Sequence, residues 1–386
     1  MNCVIIGGGN STPIISVLLK NAGNKVSILT RKPELWDYNI SFINNDKKWL
    51  PSNEYNNTLD YITSDYNIIT EAEFIFFAGL PVHINEEIII KIKPFLNKNK
   101  HYYIGTICAY GCLNWIIKEH LNDYNITVFG TQLIPWCCGT IKYGKTSIVY
   151  GAKKILRIAL EKNDNNNNNI MIFLKNVLKQ ELQVTDFISS LFWPNNPWLH
   201  PPILYGLLKD WDGLSTLKIK DYPNKIYGEM TEYSGEIVSN LNDEICNIVN
   251  ELSKNSNNNN LNLNYSLHYN IILNYGDDVI DNSTLYTSIR TCNAFSNHIL
   301  PFKHINENEM LPDVNHKFFQ SDLSYGLIPY KDIALMLNIK TPLLDKIIYW
   351  NQFLINKKYL INNELIGDDI KECIYPTKYK IKLQDL

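Results

Sequence analysis

Apolar residues recur at two different spacings along the chain, and the change from one to the other divides it near Val184. Before that point short uninterrupted runs stand out, such as Val4-Ile5-Ile6 and Phe74-Ile75-Phe76-Phe77-Ala78, and Lys25-Val26-Ser27-Ile28-Leu29 reads as a strand between them. Continuous apolarity of this length suits a strand covered on both faces. Further strands are predicted at 102–107, 126–130, 147–150 and 154–159, the last two flanking Gly151. Between the runs, Pro13 to Leu19, Glu86 to Leu96 and the stretch around Trp115 to Leu121 carry apolar residues at helical spacing. Strands alternating with helices predict an α/β domain built on a doubly wound parallel sheet over residues 1–183.

Beyond this the pattern is helical. Thr185 to Leu191 is a short predicted helix, and Ile237, Val238, Leu241, Ile245, Ile248, Val249 and Leu252 form one apolar stripe. Ser288 to Leu300, Tyr330 to Leu337 and Pro342 to Leu354 follow, the last opened by Thr341 as N-cap and Pro342 in the first turn. Residues 184–386 therefore read as a mainly α-helical second domain. Two asparagine tracts, 163–169 and 255–260, cannot bury apolar surface and read as solvated loop insertions.

Composition narrows the chemistry. The 386 residues are 45% hydrophobic, ample for buried cores, and 36 Lys and Arg against 39 Asp and Glu give a formal charge of −3. No basic block is present to neutralise phosphates, so a nucleic-acid partner is not expected. The longest apolar runs fall far short of a membrane span. The chain opens directly on Val4-Ile5-Ile6, which leads us to expect a reducing, cytoplasmic setting for its eight cysteines. No pair of these has zinc-site spacing, and no metal is expected.

The first strand runs into Gly7-Gly8-Gly9-Asn10, and a helix follows. A turn without Cβ atoms permits close approach of a pyrophosphate, whose charge then meets the free N–H groups of the helix start. Gly7 and Gly9 supply the first two positions of G-x-G-x-x-G, and Thr12 stands at the third, where glycine gives closest helix-to-strand packing. The arrangement predicts a Rossmann dinucleotide site that includes Asn10 and Ser11. At the end of the second strand, Thr30-Arg31-Lys32 replaces the carboxylate that NAD sites use for ribose. Two cations there suit a 2′-phosphate, so NADP is the expected cofactor, with NAD as the alternative. Ligands on such sheets bind beyond the carboxyl ends of the strands, which adds Gly79 and Pro81 to the cofactor side.

One further stretch stands at the change of architecture: Asn195-Asn196-Pro197-Trp198-Leu199-His200-Pro201-Pro202. Pro201 biases His200 toward an extended backbone, and Pro197 and Pro202 fix their own φ angles. His200 is then either a stiffly aimed acid/base group or the packed histidine of a capped turn.

Four blocks, in order, resemble the octopine/nopaline (opine) dehydrogenase family over nearly the whole chain. Gly7-Gly8-Gly9-Asn10 is similar to the family's G-x-G-N, Pro135-Trp136-Cys137-Cys138-Gly139 to P-Y-A-C-R, and Asn196 to Pro202 to the N-x-x-x-H-P block. His316-Lys317-Phe318-Phe319-Gln320-Ser321-Asp322-Leu323-Ser324-Tyr325-Gly326-Leu327 is similar to H-R-Y-x-x-E-D-x-P-Y-G-L. The resemblance implies reductive condensation of an amino acid with a 2-oxo acid by a reduced nicotinamide. It also implies a catalytic pair, His200 and Asp322, in which the carboxylate orients the ring and favours the imidazolium. Lys317, Cys138 and Trp136 fall on the substrate side, and a monomer or homodimer is expected. Departures from the pattern bear on substrate identity. Lys317 replaces a forked arginine with a point charge, Ser321 replaces a glutamate, Phe318 a tyrosine and Gly139 an arginine. Cys138 also reads as a small buried residue. Two other functions stay open: reduction of a plain 2-oxo acid without an amine, and a nicotinamide-binding protein without turnover.

Overall fold

A computed structural model of the chain describes residues 1–161, 165–193, 196–255, 266–296 and 298–386. Asn163, Asp164, Asn195 and the tract 256–260 of the sequence reading lie outside these residues. The described chain divides into two compact units, Met1–Leu191 and Phe192–Leu386.

Unit 1 starts with β1 (Asn2–Ile6), α1 (Ser11–Asn21) and β2 (Lys25–Leu29). After these come β3 (Asn39–Asn44), β4 (Glu54–Thr58), β5 (Tyr61–Thr63) and β6 (Phe74–Phe77). The chain continues through α2 (Asn85–Ile92), β7 (His101–Ile107), α3 (Leu113–Leu121) and β8 (Asn125–Thr131). Strands β9 (Trp136–Lys142), β10 (Thr146–Ala152) and β11 (Ile155–Leu160) precede α4 (Asn167–Leu178) and β12 (Glu181–Thr185). Val184, where the sequence pattern changes, lies inside that last strand.

The main sheet has the order β12-β11-β8-β7-β6-β1-β2-β5. From β5 to β8 every pairing is parallel, with β1 as the point at which the chain leaves one half and crosses to the other. Adjoining loops diverge at such a point, and a crevice opens at the carboxyl ends of β1 and β6. The expected parallel sheet is extended by β11, which pairs antiparallel to β8, so the sheet is mixed. A second sheet, β4-β3-β10-β9, was not expected. Of its strands β10 was predicted, over 147–150, but β4 (Glu-Tyr-Asn-Asn-Thr) alternates exposed and half-buried residues and β9 has one buried residue, Trp136, so neither of these gave an apolar run. Phe42 of β3 stacks on Tyr55 of β4 and on Trp49 of the loop between those strands. The first asparagine tract is not wholly a loop, since Asn167 to Asn169 form the first turn of α4.

Unit 2 is mainly helical. After α5 (Phe187–Phe192), which ends at the division between the units, come α6 (Asn196–Leu208), α7 (Glu232–Asn255), α8 (Leu267–Tyr275) and α9 (Leu285–Thr291). A small sheet of β13 (Leu217–Lys218), β14 (Phe302–His304) and β15 (Glu309–Pro312) follows the order β13-β15-β14. Helices α10 (Lys317–Asp322), α11 (Ile328–Met336) and α12 (Pro342–Leu354) complete it, with a π-helical turn at Leu323–Leu327 between the first two. The predicted stripe on α7 is buried throughout. The helix expected over 288–300 instead ends at Thr291 and gives way to a 3-10 turn at Asn293–Phe295. Thr341 precedes α12 but does not cap it with its side chain; the hydroxyl bonds Asp345 Oδ1 at 3.1 Å and receives Lys331 Nζ at 3.2 Å within a buried cluster.

The largest departure is at His200, which is helical. Pro201 and Pro202 lie inside α6, where each removes an intrahelical donor and disfavours the helical conformation of the residue before it. Burial overrides this local preference: Trp198, Leu199, Ile203, Leu204, Tyr205 and Leu208 are all enclosed, and Trp198 Nε1 donates to Tyr330 Oη at 3.0 Å. The turn after α10 comes close to the start of α6 at Gly326, where a Cβ would stand 2.3 Å from Pro197 Cγ. Gly326→Ala should therefore cost about 1–3 kcal/mol of stability, as overpacking does, while Gly228→Ala, with nothing nearer than 4.0 Å, should stay within about 0.5 kcal/mol. Denaturant-unfolding midpoints of the two variants read this difference directly.

Candidate active site

In unit 1 the loop after β1 and the loop after β6 are pressed together. Gly7 has φ +134° and its added Cβ would fall 2.0 Å from the Ala78 carbonyl oxygen; one at Gly9 would fall 2.7 Å from that of Gly79. Gly79 itself has φ +65°. Thr12, at the third motif position, is buried and tolerated there because its hydroxyl donates to the Ala78 carbonyl at 3.0 Å. What remains is a backbone-walled cradle at the start of α1, whose first turn carries no acidic side chain. These features fit a pyrophosphate.

Asn10 does not cap α1. Its amide donates to the Cys138 carbonyl at 3.3 Å, its Oδ1 accepts from Thr140 Oγ1 at 2.6 Å, and its carbonyl accepts from Ser147 Oγ at 2.7 Å. The cradle is thereby fastened to the second sheet, a support that no local sequence signal announced. Ser11 and Thr30 are buried, Arg31 and Lys32 are exposed beyond the end of β2, and Pro81 opens a 3-10 turn at Val82–Ile84. Tyr143, Thr30 and Trp36 surround Gly8, and the rings of Trp36 and Tyr143 meet edge to face at 6.0 Å. Trp136 is enclosed, 2% exposed, and packs on Trp49, whereas Cys138 is half-buried.

In unit 2, His200 and Asp322 meet. Nδ1 of the ring lies 2.7 Å from Asp322 Oδ2, and both side chains are almost fully buried. The opposite nitrogen, Nε2, lies 2.7 Å from the hydroxyl of Tyr227, a residue the sequence reading did not single out. An ionised carboxylate only accepts, so Nδ1 carries the proton; Nε2 of the neutral ring then accepts from the phenol. Phe318 stacks on the imidazole with ring centroids 3.5 Å apart and 23° between planes. This explains the aromatic residue after Lys317 in the fourth block. Asp322 ends α10, and the π-helical turn that follows redirects the chain there.

Burial pushes the His200 imidazole well below its usual range, and the charges of Lys317 and His298 push the same way. Desolvation of the enclosed ring thus works against the charged form that the Asp322 carboxylate is expected to favour. His298 is lowered too, by burial with a further contribution from Lys317. Lys317 is exposed at the first position of α10, with Nζ 5.9 Å from the Phe318 ring centroid.

Comparison with known proteins bears on the family and the fold. Residues 183–355 match the family described as NAD/NADP octopine/nopaline dehydrogenase, alpha-helical domain. The chain is 24% identical to tauropine dehydrogenase of Arabella iricolor over 423 residues, covering 99% of this chain and 98% of that one. It is 22% identical to octopine dehydrogenase of Pecten maximus, over 99% and 97% of the two chains. A solved octopine dehydrogenase structure with NADH and L-arginine shares the fold with a TM-score of 0.81 at 21% identity, over 99% of this chain and 96% of that one.

His316, the N-cap of α10, accepts from the Phe318 N–H through Nδ1 at 3.3 Å, and its pKa is lowered to about 4 by burial, with Lys317 and His200 adding to the effect. Between its ordinary value of 6.5 and about 4, the unfolded chain holds a proton at this ring that the folded chain does not. Stability contributed here is present above 6.5 and is lost as the pH falls through that window. His316→Asn retains a capping acceptor but cannot titrate. Its unfolding free energy should depend less steeply on pH between 6.5 and about 4 than that of the parent; an unchanged slope would exclude His316 as the source.

Proposed function

We propose that the chain belongs to the octopine/nopaline dehydrogenase family, whose alpha-helical domain residues 183–355 match, and that it is an NAD(P)H-dependent oxidoreductase that condenses an amino acid with a 2-oxo acid and reduces the product. The observation that carries the reading is the buried Asp322–His200 pair of unit 2. A bound reduced nicotinamide would supply the hydride. In unit 1, Gly7, Gly9, Asn10, Ser11, Gly79 and Pro81 line the phosphate side of the reading, and the fit rests on the cradle that any added Cβ would fill.

His200 is the acid/base group. Asp322 holds Nδ1–H, which leaves Nε2 as the nitrogen that exchanges a proton with substrate. In the condensing direction the charged ring protonates the carbonyl oxygen as the amine adds, and assists the departure of water. Lys317 couples this step to binding. Its cation opposes the charging of His200, so a substrate carboxylate paired with it offsets that opposition and lets the ring take up its proton when the 2-oxo acid is present. In unit 1, Cys138 and Trp136 are the residues that the family resemblance puts on the substrate side, Trp136 through packing, because its ring is enclosed.

Arg31 and Lys32 support NADP over NAD, since two exposed cations follow β2 where a ribose-binding carboxylate would otherwise stand. The expected small-molecule partners are the amino acid and the 2-oxo acid, acting on a monomer or homodimer in the cytoplasm. Oxidation of NADPH and NADH, followed by absorbance against a matrix of amino acids and 2-oxo acids, should require both co-substrates. Oxidation with the 2-oxo acid alone would mark a simple reductase, and tight cofactor binding without oxidation would mark a silent binding protein. His200→Ala should lower turnover by about 10²–10⁴ while cofactor binding persists, and near-full turnover would remove His200 from the chemistry. Arg31→Ala should weaken NADPH by about 10-fold or more and leave NADH nearly unchanged; equal losses for both would argue against a 2′-phosphate contact.

A further inference from the structure

The His200 nitrogen that is free of Asp322 is not open. Tyr227 lies between β13 and α7, is 5% exposed, and has its ring held by Phe295 at 5.0 Å and His298 at 5.4 Å between centroids. Its hydroxyl is directed at Nε2 from 2.7 Å. The opposite donor sense, Nε2–H to the phenol oxygen of a neutral ring, would leave bare Nδ1 facing a carboxylate oxygen at 2.7 Å, two acceptors in contact. A hydrogen bond donated to the neutral form of a titrating group disfavours its charged form.

We propose that Tyr227 is a positioning residue: by donating to Nε2 it holds the reacting nitrogen of His200 unprotonated at rest and sets the pH at which the ring gains its charge. The inference rests on the reading of His200 as the acid/base group. The charged and titratable groups around the ring are consistent with this role. Asp322 faces Nδ1 from the end of α10, Lys317 and His316 stand at the start of that helix, and His298 approaches from the segment after the Asn293–Phe295 turn. Tyr227 is the group that meets Nε2, at hydrogen-bond distance. Substrate entering the site must therefore take the phenol's place or accept through it.

The test is nitrogen-15 NMR of the full chain labelled at histidine, with the His200 signals identified by their loss in His200→Asn. In the parent protein Nδ1 should be protonated and Nε2 bare. In Tyr227→Phe the midpoint of the His200 titration should rise by about half to one pH unit, the effect of one lost hydrogen bond. The His200-dependent limb of the turnover profile should move by the same amount. A proton on Nε2 of the resting parent would overturn the proposal, as would an unchanged or lowered midpoint in the folded variant. Should Tyr227→Phe fail to fold, the tautomer of the parent still decides. The ring titration is read without substrate, so absence of dehydrogenase activity would reject the functional reading and leave this one standing.

Discussion

Two hydrogen bonds to one buried imidazole place the tightest demand on this molecule. His200 must present Nδ1 to Asp322 and Nε2 to Tyr227, each at 2.7 Å, which brings three distant parts of the chain to a single ring. The segments that carry His200 and Asp322 accept local constraints to be there. Helix α6 continues through Pro201 and Pro202, α10 stops at Asp322 and passes into a π-helical turn, and Gly326 stays without a side chain so that Pro197 can lie against it. A buried polar ring left without partners would cost more than these accommodations, because none of its hydrogen bonds could be made to water.

The electrostatic setting follows from the same burial. A ring enclosed on all sides and flanked by Lys317 and His298 resists charge, while the carboxylate at Nδ1 and an incoming substrate carboxylate favour it. On the proposed reading of His200 as the acid/base group, the ring is more readily protonated once an anion has arrived, when there is a carbonyl to receive the proton. Replacement of the family's arginine by Lys317 preserves the sign of this coupling and gives up bidentate geometry, which is where a difference in substrate would arise.

The glycine cradle in unit 1 is governed by a contact of a different kind. It is backbone against backbone, with Gly7 and Gly9 so close to Ala78 and Gly79 that no side chain fits. Thr12 survives at the third position by converting a steric problem into a hydrogen bond to Ala78. Asn10 then ties the loop to β9 and β10, so the second sheet serves as the brace of the first sheet's ligand end.

The sequence by itself determined strands β1, β2, β6, β7 and β8 of a parallel sheet, through buried runs separated by helical periods, and it determined the α7 stripe and the start and end of α12; the strand order and β5 came from the fold. These are legible because strand burial and helix amphipathicity repeat over several residues and are local. Motif blocks also singled out His200 and Asp322, 122 residues apart, as one pair. Only the tertiary structure decided what local preference opposed or left silent. Polar β4 became a strand by pairing with β3, and the helical conformation of His200 prevailed over its proline neighbour because the packed surface of α6 outweighs a single φ/ψ bias. Tyr227 carries no motif; its importance comes from where the fold places one hydroxyl, and a spacing along the chain holds no record of that.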